Sequence, residues 1–298
     1  MQATSSPLFP LGVRYMFISA LGFAAMSACV KGASNFGIPV FEIVAARALV
    51  SLILSYLDVK RKRISIWGNN KPLLLARGAV GTFSLMCVYY SVTTLPLAEA
   101  TILQYVHPVF TAVLGFVLLR ERIQGATIIC IILCLAGLYT MVQPGGDAIQ
   151  SDIPLKSVIV ALSGAFGSAI AYVIVRKLSR TEDSSVIIFY FPLIALPASI
   201  IMMGDNFVMP NFYLTLLLVA VGVSTQIGQT GLTLAMKSQS AGQASAYSYV
   251  QIVFSTLIGI VIFNELPSLN TYLGGLLIVA GAFTNIFGRK IVLRLTGK

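Results

Sequence analysis

Residues 105–121 read YVHPVFTAVLGFVLLRE, and residues 249–265 read YVQIVFSTLIGIVIFNE. The second stretch repeats the first 144 positions later, with a glutamine and an isoleucine in place of its histidine and proline. Extended without gaps over 97–141 and 241–285, the match holds Ala100/Ala244, Tyr105/Tyr249, Phe110/Phe254, Gly115/Gly259, Glu121/Glu265, Gly137/Gly281 and others, thirteen of 45 positions in all. Two unrelated apolar helices of this composition would share roughly 3 or 4. The chain is therefore read as one unit written twice.

The unit spans a bilayer. Apolar residues fill 57% of 298 positions and charged residues only 10%, where a soluble domain carries about 25% charge. Apolar runs near 20 residues recur along the chain, each long enough to cross about 30 Å of hydrocarbon as a helix. Strands of about ten alternating residues, the mark of a membrane barrel, are absent from the sequence. The reading is an all-α integral membrane protein of ten transmembrane helices: 12–34, 40–57, 73–94, 97–119, 124–143, 155–178, 185–203, 212–235, 241–263 and 269–288. The repeats are 12–143 and 155–288. Five helices is an odd number, so the second copy enters from the opposite face, an inverted-topology arrangement used by secondary transporters. The first span, preceded by Arg14, could imitate a signal peptide, but the repeat requires it.

Charge placement sets the orientation. With the N-terminus inside, seventeen of the twenty Lys and Arg fall on inner loops and helix ends, Lys31 and Lys156 fall outside, and Arg47 lies within a span. That asymmetry puts both termini in the cytoplasm, with the chain in a cell inner membrane. The net charge of +10 follows from topology, and no nucleic-acid partner is expected. Cys29, Cys87, Cys130 and Cys134 sit in apolar runs and read as free thiols. No metal-ligand spacing is present and no cofactor is expected. An enzyme is disfavoured: there is one histidine, no HExxH or GxSxG motif, and no pair of intramembrane aspartates.

On these residues the chain resembles the EamA domain of the drug/metabolite transporter superfamily. The resemblance rests on two five-helix copies, Pro108 in the fourth helix, an apolar run ending in Leu119-Arg120-Glu121, Gly137, and Arg47 in the second helix. The second copy departs from the pattern with Ile252 for the proline and Asn264 before its glutamate. The resemblance implies a ten-helix basket around a central cavity, with substrates among amino acids, drugs, sugars and nucleotide-linked metabolites.

Polar stripes at helical spacing nominate the cavity wall, because polar groups facing lipid are costly. In the fourth helix Ala100, Gln104, His107 and Thr111 share a face, matched by Ala244, Ser248, Gln251 and Ser255. In the third and eighth, Thr82, Met86, Tyr89 and Thr93 are matched by Gln226, Thr230, Thr233 and Lys237. The bland alternative is hydrogen bonding between helices. His107 and Gln251 are read as flanking the substrate from opposite halves. A neutral role for His107 is favoured over a proton-linked one. Tyr89 and Tyr247 are candidate aromatic contacts. Arg47 lies too deep for the headgroups; an anionic substrate group, Glu42 or exposed carbonyls could pair with it. Glu42 and Lys31 are gating or coupling candidates, as an outer pair or through a proton taken by Glu42.

These features predict a secondary transporter working by alternating access, as a monomer or homodimer, with proton coupling left open. Its expected substrate is a small polar metabolite, an amino acid or relative, and the direction implied by the family is export. The alternatives are an exchanger of nucleotide-linked or phosphorylated metabolites, a drug exporter, or a membrane protein that moves nothing, which the polar stripes argue against.

Overall fold

A computed structural model describes residues 10–94, 103–142, 155–264 and 269–295, and among them the secondary structure is helical. The first half holds α1 (Leu11–Asn35), α2 (Val40–Arg61), α3 (Lys71–Thr94), α4 (His107–Leu119) and α5 (Gly125–Val142). The second holds α6 (Leu155–Leu178), α7 (Ser184–Met203), α8 (Phe212–Ser238), the short α9 (Ala241–Ala246), α10 (Val250–Phe263) and α11 (Leu269–Leu295). Among the described residues seven helical stretches are long and apolar enough to cross a membrane, and three more apolar helices are shorter. The outer surface carries side chains such as Phe116, Val117, Ile132, Ile201 and Val261. An apolar coat of this extent suits lipid as the solvent.

The interior mixes aliphatic side chains such as Ile43, Leu74 and Leu232 with many small and polar ones. Alanines, glycines and hydroxyl residues fill the helix crossings, and Arg47, Arg77 and His107 are buried among them. Lipid offers helices no hydrophobic reason to associate, so close backbone approach and hydrogen bonds do the work. Helix α1 packs on α8, where Ser19 donates to the Gly228 carbonyl at 2.8 Å. Helix α3 packs on α6, where Ser84 donates to the Gly164 carbonyl at 2.6 Å. These crossings exchange equivalent helices of the two halves. Other contacts pair equivalents directly: α2 lies on α7, and α5 on α11.

Residues 144 apart also meet or share a conformation. Tyr105 and Tyr249 stack at 5.8 Å, and the Tyr249 hydroxyl donates to the Tyr105 carbonyl at 2.8 Å. Arg120 and Asn264 close α4 and α10 in the left-handed region, at φ 54° and 50°, and just after Arg120 the Glu121 N–H donates to the Gly115 carbonyl at 3.2 Å. Both stretches read as single helices in the sequence are broken at the same place. The predicted 97–119 helix turns at Tyr105–Val106 before α4 begins, with Pro108 in its first turn, where a missing N–H costs nothing. The predicted 241–263 helix tightens to a 3₁₀ turn at Tyr247–Tyr249. Glu99 and Ala100, and the side chain of Thr93, lie outside what is described.

The helix ends sort into two groups. At one end Lys62 reaches Asp183 at 2.9 Å, Asp58 bonds Ser185, and Glu182 accepts the N–H groups of Asn69 and Asn70 at 2.8 and 2.7 Å. There too Glu121 pairs with Arg176 at 2.7 Å and accepts the Ala241 N–H at 2.7 Å. At the other end Phe36 meets Tyr213, Glu42 accepts from the Val208 N–H at 3.0 Å, and Lys31 lies over the Phe263 ring. Loops that the charge count put on one side thus lie together. Arg77 is the correction: counted with the inner charges, it is buried at 5% exposure and points into the bundle.

Candidate functional site

A cavity of about 310 Å³ opens in the middle of the bundle, with walls from both halves. The first half supplies Phe23 and Met26 from α1, Arg47 from α2, and Arg77, Gly81, Ser84 and Tyr89 from α3. The segment around the α4 break adds Gln104, Tyr105 and His107. The second half supplies Ser168 and Tyr172 from α6, Phe191 from α7, Gln229 from α8, and Ser248 and Gln251 beside the 3₁₀ turn. The two broken helices therefore carry their polar stripe into the cavity at matching positions.

His107 is held on both ring nitrogens. Nδ1 lies 3.1 Å from the Gln104 carbonyl, which can only accept, so Nδ1 carries the proton. Nε2 lies 3.4 Å from the Ser248 hydroxyl, which also has the Ser245 carbonyl at 2.7 Å. The serine proton suits the nearer carbonyl, which leaves Nε2 able to accept from a ligand. Tyr172 sits edge-on to the imidazole at 5.3 Å. The arrangement serves a neutral histidine without a charged neighbour.

The floor is cationic. Arg47 and Arg77 lie 5.6 and 5.0 Å from the Phe191 ring centre, so one phenyl group serves both guanidinium groups. Arg77 donates to Gln229 Oε1 at 3.3 Å, and Arg47 points a nitrogen at Met26 Sδ at 3.6 Å. Arg77 Nε has no hydrogen-bond partner among the described residues. Gly81, one turn along from Arg77, makes the room: a Cβ there would collide with Arg77 Nη1 and lie 3.0 Å from the Phe191 ring. None of the residues lining the cavity is acidic.

Residues 10–143 and 155–287 each match the EamA-like transporter family. The chain belongs to that family. It is a multi-pass membrane transporter. Its relatives include the pseudopaline exporter CntI of Pseudomonas aeruginosa, 33% identical over 276 residues covering 91% of this chain and 94% of that one. Solute carrier family 35 member G1 of Homo sapiens is 26% identical over 288 residues, covering 92% of this chain and 78% of the relative. A crystal structure of a protein 19% identical in sequence superposes with a TM-score of 0.81, over 92% of this chain and 95% of the other, and shows the fold alone.

Within this EamA transporter, His107, Gln251, Gln104, Ser248, Tyr89 and Arg47 all line the central cavity. Gln226, Thr230 and Tyr247 do not line it. Gln226 exchanges hydrogen bonds with Ser55 at 3.0 and 3.3 Å, and Tyr247 is buried in the packed core. Of the stripe read on α3 and α8, only Tyr89 lines the central cavity among the described side chains. Thr233 returns its hydroxyl to the Gln229 carbonyl at 2.8 Å and, with Lys237, lines a separate cavity of about 150 Å³ beside Lys62 and Asp183. The wetted face of α3 runs instead through Arg77, Gly81, Ser84 and Val88 to Tyr89. Glu42 and Lys31 are engaged separately. Glu42 bonds the Val208 N–H at 3.0 Å, while Lys31 lines a second cavity of about 210 Å³ with Ser255 and Phe263, between α1 and α10. Sequence reasoning missed Arg77, Tyr172, Gln229 and Ser168. The signal for Arg77 was its depth, six residues or about 9 Å beyond Lys71 at 1.5 Å per residue.

Proposed function

We propose that this transporter is a secondary exporter of a small polar metabolite, an amino acid or relative, in a cell inner membrane with both termini cytoplasmic. On this reading ten transmembrane helices form two inverted five-helix repeats, 12–143 and 155–288, that rock about the central cavity in alternating access. Helix bounds and packing recurring at a spacing of 144 support it. So does the opposite placement of Arg120 and Asn264, the first with the charged end at Glu121 and the second beside Phe263 near Lys31. The observation that carries the function is the cavity itself: its polar wall comes from matching positions of the two halves, so movement of one half against the other opens or closes it. His107, Gln104, Ser248 and Gln251 hold the substrate's polar groups, and Tyr89 its apolar body. The name of the Pseudomonas relative favours export.

The test is efflux of a labelled amino-acid pool from proteoliposomes, with and without an inward proton gradient. Efflux above empty liposomes is expected, and its response to the gradient reads proton coupling. No efflux from inserted, folded protein overturns the amino-acid reading and leaves the fold untouched. Arg77 favours a second reading, exchange of a phosphorylated or nucleotide-linked metabolite, because it adds a second deep cation to Arg47.

A further inference from the structure

The two arginines of the central cavity form an unbalanced charge pair. Arg47 and Arg77 are 7% and 5% exposed, and no carboxylate lies within ion-pair distance of either among the described residues. Each guanidinium carries five N–H donors. The described residues use few of them: Arg77 bonds Gln229 and Arg47 bonds the Met26 sulfur. Burying an ionised group without an opposite charge is expensive, and in a membrane interior such groups mark ligand pathways. The fold nonetheless provides for them, with the Phe191 ring between them and the space that Gly81 leaves beside Arg77.

We propose that the central site binds a small dicarboxylic acid, with Arg47 and Arg77 each taking one carboxylate. The proposal rests on the transport-site reading above and names its substrate class. Charge count decides between candidates. An amino acid with a neutral side chain brings one carboxylate and leaves one guanidinium unpaired; an acidic one brings two, its ammonium left to neutral acceptors because no acidic residue lines the cavity. Two carboxylates neutralise both arginines, and the planar guanidinium fork matches a carboxylate through two parallel hydrogen bonds. The rest of the wall suits the body of such a molecule. Gln104 and Gln251 offer amides, and Tyr89 and Tyr172 offer ring faces. A nucleotide-linked substrate fits less well, since about 310 Å³ lies at the low end of ligand pockets, roughly 300–1,000 Å³.

Binding to the purified full-length protein, measured by titration calorimetry in detergent, tests this without requiring transport. The probes are straight-chain diacids from succinate to pimelate, glutamate, glutamine and inorganic phosphate. At least one diacid or glutamate is expected to bind saturably, with glutamine and phosphate at least about tenfold weaker. Arg47→Gln and Arg77→Gln should each weaken that binding roughly 10- to 100-fold, the loss of a hydrogen bond to a charged group. If either fails to fold, its lysine variant should still bind less tightly than the parent, since lysine keeps the charge and loses the fork. Equal affinity for glutamine and glutamate, phosphate in preference to every dicarboxylate, or no binding of any diacid or of glutamate would overturn the proposal. A diacid that binds but that proteoliposomes loaded with it fail to release above empty liposomes would instead fault the transport reading.

Discussion

His107 and Gln251 occupy the same position of the two repeats and line the same cavity. One is an imidazole held by the Gln104 carbonyl at 3.1 Å, the other an uncharged amide. If the shared task is neutral hydrogen bonding, glutamine should substitute for His107. His107→Gln is expected to retain efflux and keep the pH profile of the parent, while His107→Ala should lower kcat/KM by about 2- to 10-fold, one net hydrogen bond. A profile between pH 5 and 8 that flattens in His107→Gln would show that the imidazole titrates during transport. At this scale the sequence was a fair guide where the polar residue stands alone in an apolar run. It identified Arg47, Gln104, His107, Ser248 and Gln251. Thr233 shows why a threonine is a weak guide: on a helix it can return its hydroxyl to its own backbone, here the Gln229 carbonyl, without facing the cavity. The sequence failed with Arg77 because a cation a few residues from a helix start looks like a headgroup anchor until packing shows which way it points.

The helix pairs are held by close crossings, and these make a separate prediction. A Cβ on Gly22 of α1 would stand 2.7 Å from the Gly228 nitrogen and 3.0 Å from the Ser224 carbonyl oxygen, both backbone atoms of α8 that cannot step aside. Gly22→Ala must therefore separate the helices or shift their register, and overpacking of this kind costs about 1–3 kcal/mol. A Cβ on Gly275 of α11 meets nothing within 4 Å, and alanine there gains up to about 1 kcal/mol of helix propensity. The Tm of the purified protein should fall for the first and hold or rise for the second. If both move alike, α1 and α8 are not in backbone contact. Elements of this kind were legible in the sequence, since length, hydropathy and small residues such as Ala20 and Ala24 all point the same way. The breaks in the fourth and ninth predicted helices were not. Proline marks only the first of them, whereas the second has Ile252 and tightens to a 3₁₀ turn beside the hydrogen bond from the Tyr249 hydroxyl to the Tyr105 carbonyl.

Taken whole, the molecule is tied at its charged end and held by fewer polar contacts at the other among the described residues. Asp58, Lys62, Asn69 and Asn70 of the first half meet Glu182, Asp183 and Ser185 of the second, and Glu121 meets Arg176 and Ala241. On the proposed rocking mechanism, opening the cavity toward that end requires breaking these contacts. Partial burial alone would raise the Asp183 pKa, but hydrogen bonds from Lys62 and Ser185 and the Lys62 charge outweigh it and hold the group below its ordinary value. Lys62 is the reverse: burial would lower it, and its bonds to Asp183 and Asp58 hold it above. A depressed carboxylate contributes its stability above the ordinary aspartate pKa and loses it only as pH falls through the lowered one. The tie should therefore be intact at neutral pH, so the proposed opening needs a driving force other than titration of these groups. Asp58 and Ser185 have short side chains already in contact, which suits a disulfide that would hold the end shut. In a background with the native cysteines replaced by serine, the Asp58→Cys/Ser185→Cys protein should lose efflux when oxidised and recover it on reduction. Diacid binding from the opposite face should survive oxidation, because the cavity itself is unchanged. Efflux at the parent's rate with the disulfide fully formed would mean that this end does not open during transport, and alternating access between the two halves would have to be abandoned.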